Sequence, residues 1–143
     1  MSDLHTYNPD RIVVVFGGAD IHGFSDGTFV EIQQLSDGIS SKSGADGEIA
    51  RAISQDNRHQ VTITLLQTSG SNDVLSGYYE ADRLTCGGTL LPILIQDLCG
   101  RTLFSAAEAW VVKKPNTVYS NEVSDRQWVI QTGKPLYFIG GNQ

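Results

Sequence analysis

Three histidines, His5, His22 and His59, are the first residues whose chemistry invites a search, and their scatter denies them zinc-site spacing. Asp20, His22 and Asp26 share one short stretch and carry the right donor atoms for a cation. No fourth ligand accompanies them and nothing enforces a geometry, so the stretch reads as a solvated turn. Asp46 and Glu48 bring two carboxylates close together, the raw material of hydrolytic acid–base work, without a further acid, base or pocket signal to complete a site. Cys86 and Cys99 have neither CxxC nor Cys/His ligand spacing and read as two reduced, mostly buried thiols. The pairs Gly17-Gly18, Gly87-Gly88 and Gly140-Gly141 sit where apolar runs end, so turns account for them. No phosphate-binding loop, dinucleotide fingerprint or nucleophile elbow is present. These residues point to no enzyme, and neither a metal nor a cofactor is expected.

The elements that would position any site come next. At 143 residues, 40% of them hydrophobic, the chain has the size and composition of one globular domain, 1–143, with no internal repeat and no linker. No apolar run approaches the ~20 residues of a membrane span, so no membrane anchor is expected. The polar opening MSDLHTYNPD reads as the start of a protein made in the cytoplasm, with no leader for secretion. A net charge of −6 opposes ordinary nucleic-acid binding, which needs clustered cations, yet suits a surface past which a polyanion must slide without sticking.

Arg58–Gly88 is the most legible stretch. His59, Val61, Ile63 and Leu65 alternate with Gln60, Thr62, Thr64 and Leu66, which predicts a strand. Val74, Leu75, Tyr78 and Tyr79 then recur at helical spacing, which predicts a helix over about residues 71–86. Side-chain caps are expected within Ser69–Asp73, Asp73 faces the positive end of the helix dipole, and Gly87-Gly88 makes the stop. Upstream, residues 11–16 and 28–35 read as strands that pair with each other, the second with Glu31 and Gln33 on a polar face. Residues 36–57 are rich in Ser, Gly and Asp and read as a long loop, with a weak helical turn over 48–53. Patternless connections beyond about 12–15 residues are uncommon unless they serve a function. Its mixed charges, Asp37, Lys42, Asp46, Glu48, Arg51 and Asp56, suit polar contacts between copies of one protein.

Downstream, residues 90–97 read as a strand that Pro92 assigns to an edge or a lead-in, followed by a hairpin turn at 98–101 and a strand over 102–112. Trp128 and Ile130 alternate with Gln127, Val129 and Gln131 in a strand over 126–132, and 136–139 closes the chain as another. The expected fold is mainly β, a small barrel or sandwich of six to seven strands with one flanking helix. Those properties suit a subunit of an assembly as well as a small-molecule-binding barrel.

Four stretches are more specific. GFSDGTFVEI (23–32), GADGEIARAISQD (44–56), VTITLLQTSGSNDVLS (61–76) and AEAWVVKKP (107–115) resemble, in the same order, the tail tube proteins of contractile-tailed bacteriophages. Gly70 stands where that family often carries proline, a small departure. The tube protein of type VI secretion systems is similar in fold and is an alternative reading. The resemblance implies hexameric rings stacked into a hollow tube inside a contractile sheath, in the tail of the virion. Partners would be further copies of the chain, the sheath, the baseplate and a tail terminator, with DNA passing through the bore without specific binding. It implies no catalytic residues. It also implies that the loop over 36–57 is an arm touching the adjacent ring or subunit. Candidates for the lumen are the polar strand faces bearing Glu31 and Gln33, or Gln60, Thr62 and Thr64, with an acidic lining expected to repel DNA.

Overall fold

The structure, a computed structural model, describes residues 4–142, so the first three residues of the N-terminal arm lie outside the described part. In chain order the strands are β1 (Ile12–Phe16), β2 (Ala19–Asp20), β3 (Val30–Gln34), β4 (Ile39–Ser43), β5 (Ile49–Ile53) and β6 (His59–Leu66). The helix α1 (Ser71–Leu84) follows, then β7 (Leu91–Asp97), β8 (Leu103–Lys113), β9 (Asp125–Thr132) and β10 (Leu136–Phe138). Eight strands make one antiparallel sheet in the order β2-β1-β7-β8-β9-β6-β3, with β10 beside β8, while β4 and β5 form a separate hairpin.

The core follows from alternation. Every second residue of β6, His59, Val61, Ile63 and Leu65, is buried, and β9 matches it with Arg126, Trp128, Ile130 and Thr132. The two strands pair along their whole length, Ile63 opposite Trp128 and Val61 opposite Ile130. Phe104, Ala106, Ala109 and Val111 of β8 and Ile93 and Ile95 of β7 continue the same apolar layer. Opposite ends of the sheet meet. Ile12 of β1, Ile95 of β7, Val30 and Ile32 of β3 and Tyr137 of β10 line one open groove of about 480 Å³, so the sheet curls into a barrel that is not fully closed.

Helix α1 lies against β8 and caps the apolar layer. Leu75 is completely buried, and Tyr78 and Tyr79 pack against the core. The Tyr78 hydroxyl donates to the Phe16 carbonyl at 3.1 Å, with its ring edge-on to Phe16. Gly17 permits this approach: its φ is +63°, and a Cβ there would lie 2.8 Å from the Tyr78 hydroxyl. At the helix start the buried Trp128 indole donates to the Asn72 side-chain oxygen at 2.9 Å, and further along the helix Glu80 pairs with Lys114, which lies over the Tyr79 ring.

Several expectations are corrected. The strands at 12–16 and 30–34 do not pair with each other: β1 runs between β2 and β7, and β3 pairs with β6. Local order in the sequence suggested a hairpin, but matching apolar faces across the barrel decides the pairing. Of the two readings of Pro92, the lead-in holds and the edge does not: β7 lies between β1 and β8, and the proline is its second residue, before the β1 ladder begins at Ile93 and at a register shift on the β8 side between Leu91 and Ile93. The N-cap position is Gly70, which has no side chain to cap with; Ser69, one residue earlier, accepts the Ser71 amide on its Oγ at 3.2 Å, and the Asn72 side-chain amide donates back to the carbonyls of Leu66 and Ser69. Cys86 is exposed and Cys99 half-buried, both as free thiols, because the helix end and the β7–β8 turn lie at the surface.

The largest correction is at 36–57. It is no loop, and 48–53 is no helical turn. Residues 39–43 and 49–53 form a regular ribbon, Ile39 opposite Ile53 and Ser43 opposite Ile49. Backbone pairing across a tight tip satisfies the peptide groups without any large core side chain. At that tip the Asp46 carboxylate accepts the Glu48 amide, Gly44 exchanges backbone hydrogen bonds with Glu48 and Gly47, and Gly47 takes a φ of +85° that favours glycine.

Candidate functional site

Three surfaces stand out, and none of them is a catalytic cleft. The first is the ribbon β4–β5. Every residue in both strands is exposed. Directly opposite residues of an antiparallel pair project to the same side, so Ile39, Ile49 and Ile53 share one face with Ser41, Ser43 and Arg51. Ser40, Lys42, Ala50 and Ala52 take the other. The isoleucines are 58%, 72% and 74% exposed, an apolar face with no cover from its own chain.

The base of the ribbon is held firmly. Arg58 makes a two-pronged pair with Asp56, Nε and Nη2 at 2.9 and 3.0 Å from the two carboxylate oxygens. These side-chain hydrogen bonds, together with the Arg58 backbone amide, hold the Asp56 carboxyl well below the usual carboxylate range and push the Arg58 guanidinium up. Ser36 donates to the Asp56 carbonyl, and the amides of Leu35 and Ser54 donate to the carbonyls of Arg58 and Gly38. The ribbon therefore leaves the barrel at a fixed root.

The second surface is the outer face of the sheet, the side away from the core. The structure brings all five expected polar positions together here. Gln33, Gln60, Gln131 and Trp110 form one cross-strand row, and Glu31, Thr62, Val129 and Lys113 form the next. Thr64 stands opposite Gln127 in a third. This face is a mainly neutral field of amides and hydroxyls, with Glu31 and Lys113 at opposite ends of one row. Sequence reasoning had no signal for Trp110, because the register of β8 on β9 cannot be read from β8 alone.

The third surface is a pair of sheet edges. Strand β3 pairs with β6 alone, and β1 beyond its short partner β2 leaves Ile12 and Val13 on the open side. Such edges template pairing with another chain.

The other expected residues resolve simply. Asp37, Lys42, Asp46, Glu48 and Arg51 lie exposed on or beside the ribbon, and Asp56 at its root. Asp46 and Glu48 meet at the tip turn and line neither the open groove nor the smaller pockets beside Lys113, Asn72 and Asp82. Asp20, His22 and Asp26 belong to no group that could hold a metal ion among the described residues. The His22 backbone instead ties the barrel to the helix start, its amide bonded to Ser71 Oγ and its carbonyl to Ser69 Oγ.

This fold, a curled antiparallel sheet with one capping helix, recurs in chains from solved structures of contractile injection systems. The fold matches the anti-feeding prophage tube terminating cap with a TM-score of 0.65 at 13% identity, covering 96% of this chain and 94% of that one. It matches a chain of the PVC extracellular contractile injection system sheath-tube complex with a TM-score of 0.63 at 12% identity, covering 93% and 91%. In sequence, the chain is 33% identical to structural protein ORF10 of Pseudomonas phage KPP10 over 96% of its own length and 84% of that protein's. The model of the bacteriophage PhiTE tail tube protein family matches residues 14–140, and the chain belongs to that family. It is a structural subunit of a phage tail tube.

Proposed function

We propose that the chain assembles into hexameric rings that stack into a hollow tube, enclosed by a contractile sheath and closed by a terminator and a baseplate. Sheath–tube and tube-cap complexes are what two of its structural relatives come from, which supports this choice of partners. The observation that carries the proposal is the ribbon β4–β5: a regular hairpin of ten exposed strand residues with isoleucines on one face and no cover from its own chain. An isolated two-stranded hairpin is marginal in water, so such an element is built to be completed by a neighbour. The contacts of Asp37, Lys42, Asp46, Glu48, Arg51 and Asp56 are then contacts between copies. Within a ring, the unlike edges at β3 and β1–β2 pair head to tail, and closure removes both.

The polar outer face bearing Glu31, Gln33, Gln60, Thr62 and Thr64 lines the bore in this arrangement. Its amides and hydroxyls carry Lys113 as one cation, in the same row as Glu31, and no cluster of cations for DNA to bind, so the duplex passes without sticking. The subunit does no catalysis, is made in the host cytoplasm and ends in the virion tail. Negative-stain microscopy of the purified protein tests the proposal. Rings or tubes are the expected result. Monomers at high concentration, with a small molecule held in the groove, would overturn it in favour of a ligand-binding barrel. Deleting Gly44–Ile53 should leave the barrel folded, seen as a cooperative thermal melt followed by circular dichroism, and impair stacking; unchanged tubes would overturn the ribbon's role.

A further inference from the structure

We infer that the open groove between the two ends of the sheet is the seat for the isoleucine face of the ribbon from a second copy, fixed by an ion pair between Arg51 of one copy and Asp97 of the other. The inference rests on the tube reading and names the contact that stacks its rings.

The two surfaces match in apolar character and in charge. The groove is open, about 480 Å³, with walls from Ile12, Val30, Ile32, Ile95 and Tyr137. Asp97 is the one charged residue lining it among the described residues. The isoleucine face of the ribbon also carries one charge. Arg51 lies between Ile49 and Ile53 in β5 and directly across from Ser41, while Lys42 projects to the other side. A single cation set among isoleucines thus faces a single carboxylate set among apolar walls. One Asp97 oxygen already accepts the Cys99 amide at 3.0 Å, and the carboxylate's second oxygen is left to receive a guanidinium.

The ribbon does not fill the groove of its own chain. None of its residues lines that groove, all ten strand residues are exposed, and the Asp56–Arg58 clamp fixes its root. The occupant is therefore another copy. Ribbon and groove are different patches, so the contact is heterologous and repeats along an axis instead of closing on a dimer, which is the geometry stacking requires. Burial of the Tyr137 ring already raises its hydroxyl pKa in the single chain, and a seated ribbon would cover that ring further.

A charge-reversal cycle tests the pairing, read by sedimentation and negative-stain microscopy of the full chain. Arg51→Asp and Asp97→Arg should each cut the sedimenting tube fraction by about tenfold or more, because like charges are then driven together. The doubly reversed protein should recover most of it. Circular dichroism establishes that each variant is folded. Asp97→Asn, which keeps an acceptor for the Cys99 amide, should weaken assembly in the same sense and stands in if Asp97→Arg misfolds. Tubes indifferent to the single reversals, or single losses that the double reversal does not repair, would overturn the pairing and leave the tube reading intact. Wild-type protein that forms no rings or tubes would overturn both.

Discussion

Strands β6 and β5 are both regular, both antiparallel and both rich in β-branched residues, yet they stand at opposite extremes of burial. In β6 every second side chain is inside, each apolar one completely, because β9 and β3 flank the strand and the curled sheet covers one face. In β5 nothing is inside. Its isoleucines project just as those of β6 do, but no layer of the same chain lies over them. The barrel carries the stability of the monomer, and the ribbon's apolar face has no cover within the chain; in the proposed assembly a neighbour covers it. A strand in a folded chain thus need not be part of that chain's core.

The heaviest blow to this contrast falls on the barrel side. Trp128→Ala leaves a large cavity and strands the Asn72 oxygen, and should cost roughly 3–5 kcal/mol in urea unfolding. Leu75→Ala should cost about 2–5 kcal/mol and loosen the helix from β8, read as a lower melting temperature. On the ribbon side, replacing Ile39, Ile49 and Ile53 together by serine should change monomer unfolding by no more than about 0.5 kcal/mol per site, while sedimentation shows tubes lost. A comparable loss of monomer stability would erase the distinction.

Two pH effects sharpen it. Burial raises the Tyr137 hydroxyl above its ordinary value of 10.0, so the folded state prefers the neutral phenol. That contribution is complete below pH 10.0 and is lost as pH rises through the raised value, so an alkaline melt should show a decline that Tyr137→Phe removes. Asp56 has the opposite sign. Its carboxyl is lowered by Arg58, so the clamp is present above the ordinary value of 3.8 and fails only as pH falls further through the lowered value. The clamp is solvent-exposed, and Asp56→Asn should give the smallest effect of the set, seen as faster amide exchange at Ser54 and Arg58 with the barrel unchanged.

Much of the barrel was legible because burial leaves a period in the residues. The alternations at 59–66 and 126–132 and the helical spacing of Leu75, Tyr78 and Tyr79 each required one-sided cover, and the structure supplies it. The ribbon was not legible. Residues 36–57 were singled out for function by length and composition, but Ser, Ala and Gly in the ribbon erase the apolar alternation by which a strand is normally recognised. The three isoleucines are too far apart in the chain to read as one face until the register Ile39–Ile53 is known.

The residues alone determined which local stretches must be one-sided, since a side chain's cost in water depends on its own chemistry and its spacing along the backbone. Only the folded chain decided which strands are neighbours, that Gln60, Gln131 and Trp110 share a row, and that Asp97 lies in the same groove as Val30 and Ile32. Those adjacencies join residues far apart in the chain, and they arise from the curl and register of the whole sheet, which no single segment encodes.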